Sequence, residues 1–225
     1  MTDTIMLTKN TDQLRQQVAA HVAADSIAQG DYWNEDSKRG CWIGCLAHAN
    51  DPEINEQTYG LPVMVQRIAE SIFEALPPNE AKTFFAALPD AVGCDGKDLS
   101  KVGWQFLAAE LRALPKQPDE VQVVIDPVIA GMDLLASGQE WASADAAAVA
   151  AVLWQRDTLA ATAAAAAARA AAARAAAFQQ YDTFAWAAHA AARAARADRV
   201  AARRRQRDTL LALISQAPVL EGGND

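Results

Sequence analysis

From Gln139 to Ala217 the chain contains neither glycine nor proline, and 33 of the 61 residues from Ala142 to Ala202 are alanine. Alanine has the highest intrinsic helix propensity and loses no rotamer entropy on folding. The segment is therefore expected to be helical. As one unbroken helix it would be about 118 Å long at 1.5 Å per residue, whereas a compact chain of 225 residues has a radius of gyration of about 17 Å. It must project as an arm or fold back as a hairpin. Gln179-Gln180-Tyr181-Asp182-Thr183 is the run richest in weak helix formers, so the reversal is expected there, between arms of very roughly 60 Å each. A buried methyl contributes only about 0.8 kcal/mol; long contact must replace large side chains.

Alanine also explains why a chain that is 52% hydrophobic has a mean hydropathy of only −0.06. The net charge of −8 averages two unlike halves. Residues 1–142 carry 10 Lys/Arg against 21 Asp/Glu, a net of −11, while residues 143–225 carry 10 Arg against 7 acids, a net of +3. This describes an acidic body with a basic arm. Arg169 and Arg174 lie inside the Ala tract, each costing about 2.5–3.5 kcal/mol at a bilayer centre, so no membrane span is expected. Met1–Thr8 has no basic n-region and no apolar run. With three cysteines and no export signal, a cytoplasmic protein with reduced thiols is expected.

In the body, apolar spacing at Leu14, Val18, Val22 and Ile27 predicts a helix over Asp12–Gln29, stopped by Gly30. Asp31–Gly40 reads as a polar loop with two aromatics, and Cys41–Asn50 as a short helix closed by Asp51-Pro52. Pro62 opens a helix whose apolar face is Val65, Ile68, Ile72 and Leu76, ended by Pro77-Pro78. Asn79 is placed to cap Glu80–Leu88, which Pro89 closes. Ala91–Ser100 is a loop. A helix from Lys101 to Leu114 buries Trp104, Leu107 and Leu111. Asp119–Ala136 contains Val121–Asp126, which has strand character, but flanking helices favour a helix kinked at Pro127 and ending at Ser137-Gly138. Gln155–Ala160 recurs almost intact as Gln206–Leu211, two copies where a solenoid needs three.

Three segments occur in order: Gly40-Cys41-Trp42-Ile43-Gly44-Cys45-Leu46-Ala47-His48, then Tyr59-Gly60-Leu61-Pro62, then Arg67 to Pro77. This order resembles a group of uncharacterised proteins from bacteria and their phages, with a GCxxGCxxH segment, a YGIP-type helix start, an IFEGLP-type helix end and an Ala-rich helical tail. Leu61 and Ala75 depart from that pattern. The resemblance covers about residues 25–115 and the tail style. It implies a modular family and phage association but no activity.

Cys41, Cys45 and His48 are spaced C-x3-C-x2-H, so a continuous helix would set them on one face. Two thiolates and an imidazole there can ligate zinc, with Cys94, His21 or His189 as a fourth ligand. The competing reading is packing: cysteine is a small hydrophobe, and Gly40 and Gly44 permit a close helix crossing. A catalytic reading uses Lys38 and Arg39 as anion contacts and His48 as a base, with Cys45, one turn from it, as the better nucleophile than Cys41, about 10 Å away. His21 otherwise reads as a half-buried structural residue. Glu70 and Glu74 form either an acid/base pair or, by preference, a solvated helical face.

Arg193, Arg196, Arg199, Arg203 and Arg207 fall within about 120° of arc on one helix, with Arg204 and Arg205 beside them. Such a ridge can track phosphates, face the acidic body, meet an acidic partner, or simply solubilise an Ala helix.

The sequence predicts an all-α protein: an acidic helical body over 1–140, an Ala/Arg-rich arm or hairpin over 141–217 and a disordered tail over 218–225. The preferred function is non-enzymatic protein interaction, as a phage accessory or counter-defence factor, with the arm mediating homo-oligomerisation or partner binding. A metal-binding or Cys/His enzyme centred on Cys41, Cys45 and His48 is one alternative, nucleic-acid binding through the Arg ridge another. No cofactor is required, zinc being the one metal the residues suggest.

Overall fold

The computed structural model describes residues 6–30, 32–114, 119–141 and 199–220, which are mostly helical with very little strand. Most of the Ala-rich arm, with its expected reversal and Arg193 and Arg196, lies outside the described residues. The chain divides into two compact units. One comprises residues up to Val102 together with those from Arg203 onward; the other runs from Gly103 to Ala202.

In the first unit, α1 spans Thr11–Ala23, shorter than the apolar spacing predicts. The chain leaves the helix at Asp25 with φ 49°, and Ile27 bridges Gly40 in strand fashion. The polar loop that follows is a small antiparallel hairpin, β1 (Trp33–Asn34) and β2 (Arg39–Gly40). Its turn is held by Asn34 Oδ1, which accepts from the backbone N–H groups of Asp36 at 3.1 Å and Ser37 at 2.9 Å. Next come α2 (Trp42–Ala47) and α3 (Pro52–Tyr59). The sequence pattern read α3 only as a boundary, but Asp51 caps it by accepting from Glu53 N–H at 2.9 Å, with Pro52 in its first turn.

Helix α4 (Val63–Ala75) forms the centre, packing against α2, α3 and α5 (Pro78–Ala86). Its predicted face is buried at Val65, Ile68 and Ile72, and Leu76 beyond its end is buried too. Pro78 rather than Asn79 starts α5, and Pro89 opens a further short helix, α6 (Leu88–Val92), instead of closing the one before. Trp42 of α2 lies 4.7 Å from the Phe84 ring and 5.5 Å from that of Phe85, which fixes α2 against α5.

Helix α7 (Val102–Arg112) carries the chain into the second unit, burying Phe106, Leu107 and Leu111. There α8 (Asp119–Ala136) runs through Pro127 as a helix, so the strand alternative for Val121–Asp126 does not hold. Arg112 pairs with Asp133. At Gly131 a Cβ would stand 2.3 Å from the Trp141 indole, so only glycine lets that ring lie on the helix.

Helix α9 (Arg199–Gln216) is the described end of the arm. From Arg203 onward it belongs to the first unit, so the compact units do not follow the boundaries at 140 and 217 that composition suggests. Arg203, Gln206, Leu210 and Ile214 make a buried stripe at helical spacing. Lys97, itself buried, donates to the carbonyls of Ala91 at 3.1 Å, Ile214 at 3.2 Å and Ser215 at 2.7 Å. A cation at two helix C-termini meets their partial negative charge and their unpaired carbonyls together. The expected disordered tail is ordered at its start: Asp98 N–H donates to Pro218 O and Leu220 N–H to Gly96 O, both at 2.9 Å.

Candidate functional site

The chemistry-bearing residues gather around α2, but at its two opposite ends. Helix α2 is only six residues long. Cys41 is its N-cap, in extended conformation, and His48 follows the last turn with φ 52°. The one-face arrangement of Cys41, Cys45 and His48 therefore fails, because the helix stops at Ala47 and the backbone reverses hand at His48.

At the N-terminal end, the hairpin backbone presses on α2. A Cβ on Gly44 would stand 1.5 Å from the Tyr32 carbonyl oxygen, and one on Gly40 would stand 2.3 Å from it. The two glycines thus admit a strand, not the helix crossing their spacing suggests. That same carbonyl accepts from Cys41 N–H at 3.0 Å. Cys45 is fully buried and its thiol donates to Gly40 O at 3.1 Å. Burial pushes this thiol up to about 12. The Cys41 thiol is pushed up further, by burial first and then by the Glu70 charge. With no bound cation, neither sulfur has the thiolate character a nucleophile needs.

Glu70, expected on a solvated face, sits half-buried against α2 and accepts from Ile43 N–H at 3.0 Å. Burial, reinforced by Glu74, raises its carboxyl to about 7 against the pull of Cys41, Ile43 and Arg67. Glu74 is exposed and accepts from Gly30 N–H at 2.9 Å. The donor atoms of Cys41, Glu70 and Glu74 lie within 4.8 Å of one another. Among the described residues this is the convergent group of three potential ligands, in place of the Cys/Cys/His triple.

At the C-terminal end, His48 meets His21 of α1, Nε2 to Nε2 at 3.0 Å. The Trp33 ring stacks on His48 at 4.4 Å, 20° from parallel, and meets His21 edge-on at 5.8 Å. Ser26 Oγ lies 2.7 Å from Nδ1 of His21 and donates to the His21 carbonyl at 3.2 Å. Gln17 closes the helix end, donating to the carbonyls of Cys45 and Leu46 at 2.9 Å each. The Tyr59 hydroxyl in turn donates to Gln17 Oε1, also at 2.9 Å. Burial, then the His48 charge, lowers the His21 imidazole, while a backbone hydrogen bond at Cys45 opposes this. Gln17, Trp33 and Tyr59 carried no chemical signal in the sequence; two aromatics in an otherwise polar loop were the one hint.

Of the anion contacts expected at Lys38 and Arg39, Lys38 is engaged within the hairpin. Lys38 pairs with Glu35 at 2.6 Å inside the hairpin turn, and Arg39 adds to the field that Lys82 exerts on Asp25. In the Arg ridge, Arg203 is buried and donates to Gln206 Oε1 at 2.9 Å. Arg204 grips Glu80 of α5 through two bonds of 2.8 and 2.6 Å, and Arg207 approaches the same carboxylate at 3.6 Å. Arg199 begins α9. Cys94 is exposed and remote in sequence from both ends; His189 lies outside the described residues.

No family model, curated protein or solved structure matches the chain. Among the described residues no helix is long and apolar enough to cross a membrane.

Proposed function

We propose that the protein acts without catalysis, as an interaction protein in which an acidic helical unit carries the Ala/Arg-rich segment to a protein partner or to a second copy of itself. The observation that supports this is the return of the chain after that segment: α9 buries Leu210 and Ile214 in the first unit and is held there by Lys97. The residues between are an insertion, and an Ala-rich insertion of such length has more surface for partners than core of its own. The Cys/His enzyme reading loses its main support, since both thiols are buried, which raises them, and His48 pairs with His21. Phosphate tracking is weakened in the same way, with Arg204 and Arg207 already on Glu80. An accessory or counter-defence role is in keeping with the resemblance to bacterial and phage proteins.

Sedimentation over a range of concentrations tests the reading. The full chain is expected to exceed its 24.0 kDa monomer mass as concentration rises. Replacing residues 143–198 by a short Gly/Ser linker, with α9 retained, is expected to leave a monomer. A full chain that stays at monomer mass throughout and binds single-stranded or duplex nucleic acid at low salt would overturn it in favour of the Arg ridge.

A further inference from the structure

Two imidazole nitrogens facing each other at 3.0 Å, as Nε2 of His21 and Nε2 of His48 do, need something between them. Two lone pairs at that separation repel, so the gap holds either one shared proton or a cation. The surroundings define which atoms are available. Ser26 Oγ donates to the His21 carbonyl at 3.2 Å and is placed to receive Nδ1–H of His21; in that tautomer Nε2 of His21 carries its lone pair, and the backbone hydrogen bond at Cys45 is the interaction a cation would displace. The Gln17 amide spends both hydrogens on Cys45 O and Leu46 O. At 3.4 Å from His48 Nε2 it has no further hydrogen to give, so Gln17 does not compete for that nitrogen when it carries its lone pair.

We propose that His21 and His48 form a two-histidine site for a borderline divalent transition metal of the zinc, cobalt and nickel class, with solvent completing the coordination. Metal–nitrogen bonds of about 2.0–2.1 Å at a tetrahedral angle put the two nitrogens about 3.3 Å apart. The pair is within a few tenths of an ångström of that. The adjustment falls on His48, which is exposed and lies beyond the end of α2. His21 is the fixed ligand: it is buried on α1, and Ser26 holds its second nitrogen as an outer partner holds a metal-bound imidazole. Trp33 stacked on His48 restricts that ring to the facing orientation and shields one side from water. Glu35 accepts from the Trp33 indole N–H and pairs with Lys38, which ties the stacked ring to the hairpin turn.

The competing donor group, Cys41 with Glu70 and Glu74, is less suited. The Cys41 thiol is buried, so a cation must displace its proton there, while Glu70 already accepts from Ile43 N–H and Glu74 from Gly30 N–H. Binding of imidazole ligands alone also fits a cation that needs no thiolate.

The experiment is calorimetric titration of the metal-free full chain with Zn2+ alone, repeated with Co2+ to read the absorption spectrum. The expected result is one ion per chain, no thiolate-to-cobalt charge-transfer band, and imidazole resonances of two of the three histidines moving on Zn2+ addition. His48→Ala, an exposed substitution, is expected to abolish saturable binding. Ser26→Ala is expected to weaken it by about 10- to 100-fold, as loss of an outer partner does. Unchanged far-ultraviolet circular dichroism verifies that each variant folds. Absence of binding, binding undiminished in His48→Ala, or binding lost in Glu74→Gln instead would overturn the proposal.

Discussion

The two ends of α2 are separated by a helix of six residues and are built on opposite terms. The Cys41 end is closed: a hairpin carbonyl presses on Gly44, two thiols are buried, and a half-buried carboxyl takes the backbone N–H of Ile43. The His48 end is open: an exposed imidazole sits on a left-handed residue among polar side chains that satisfy one another. Residue types favour reactivity at the first end, because cysteine is the stronger nucleophile and softer ligand. Burial reverses the order by raising both thiols while the His48 imidazole stays accessible. What a side chain can do at either end is decided by where the helix stops.

The contrast breaks most readily at Gly44. Alanine there gains about 1 kcal/mol in helix propensity, but its methyl would lie 1.5 Å from the Tyr32 oxygen and 2.4 Å from the Tyr32 carbonyl carbon. Backbone must move, so Gly44→Ala is expected to cost about 3 kcal/mol or more. The loss is read from a chemical denaturation midpoint. A shift worth under about 1 kcal/mol would show that the hairpin is not pressed on α2 and that the closed end is not closed.

The next effect concerns Glu70 and depends on pH. Its folded value of about 7 lies above the ordinary 4.5, so the folded chain prefers the protonated carboxyl. That contribution is complete below pH 4.5 and is lost as pH rises through 7. His21, lowered in the fold, works in the opposite sense: its contribution is complete above its ordinary value of about 6.5 and falls as pH is lowered. Comparing wild type with Glu70→Gln separates the two, because His21 is common to both. Between pH 4.5 and 8 the wild type is expected to lose on the order of 1–3 kcal/mol relative to Glu70→Gln. Parallel stability curves would show that the carboxyl is as wet as an exposed one.

The sequence made some of this legible. The α4 face at Val65, Ile68 and Ile72 follows from spacing alone, because an amphipathic helix writes its buried side into its period. The helix through Pro127 followed instead from its helical neighbours, against the strand character of Val121–Asp126. The site did not, for an identifiable reason. The helix after Cys41 has no glycine, proline or capping residue at its end; it stops because His48 adopts φ 52°, and Gln17, from a distant helix, takes the carbonyls of Cys45 and Leu46. A long-range cap leaves no local mark. Lys97 is similar: a lysine in a Gly/Asp loop reads as solvated, and only the return of α9 supplies the carbonyls that bury it. Glu70 looked solvated because its partner, the Ile43 N–H, lies 27 positions away.

The smallest effect is expected at His48 itself, and it tests the open end directly. His48→Asn removes the stacked ring, worth about 0.5–1.5 kcal/mol for an aromatic pair, and a net hydrogen bond of about 1 kcal/mol. Against this, asparagine tolerates the left-handed backbone better than most residues because its short side chain bonds locally. His48 is exposed, so water replaces much of what the ring contributed. The balance is a loss of about 1 kcal/mol, measurable as a midpoint shift with little change in slope. A loss above about 3 kcal/mol would make the His48 end as much a part of the core as the Cys41 end. The imidazole pair would then be a packing element, held too tightly to open the few tenths of an ångström that a bound cation requires.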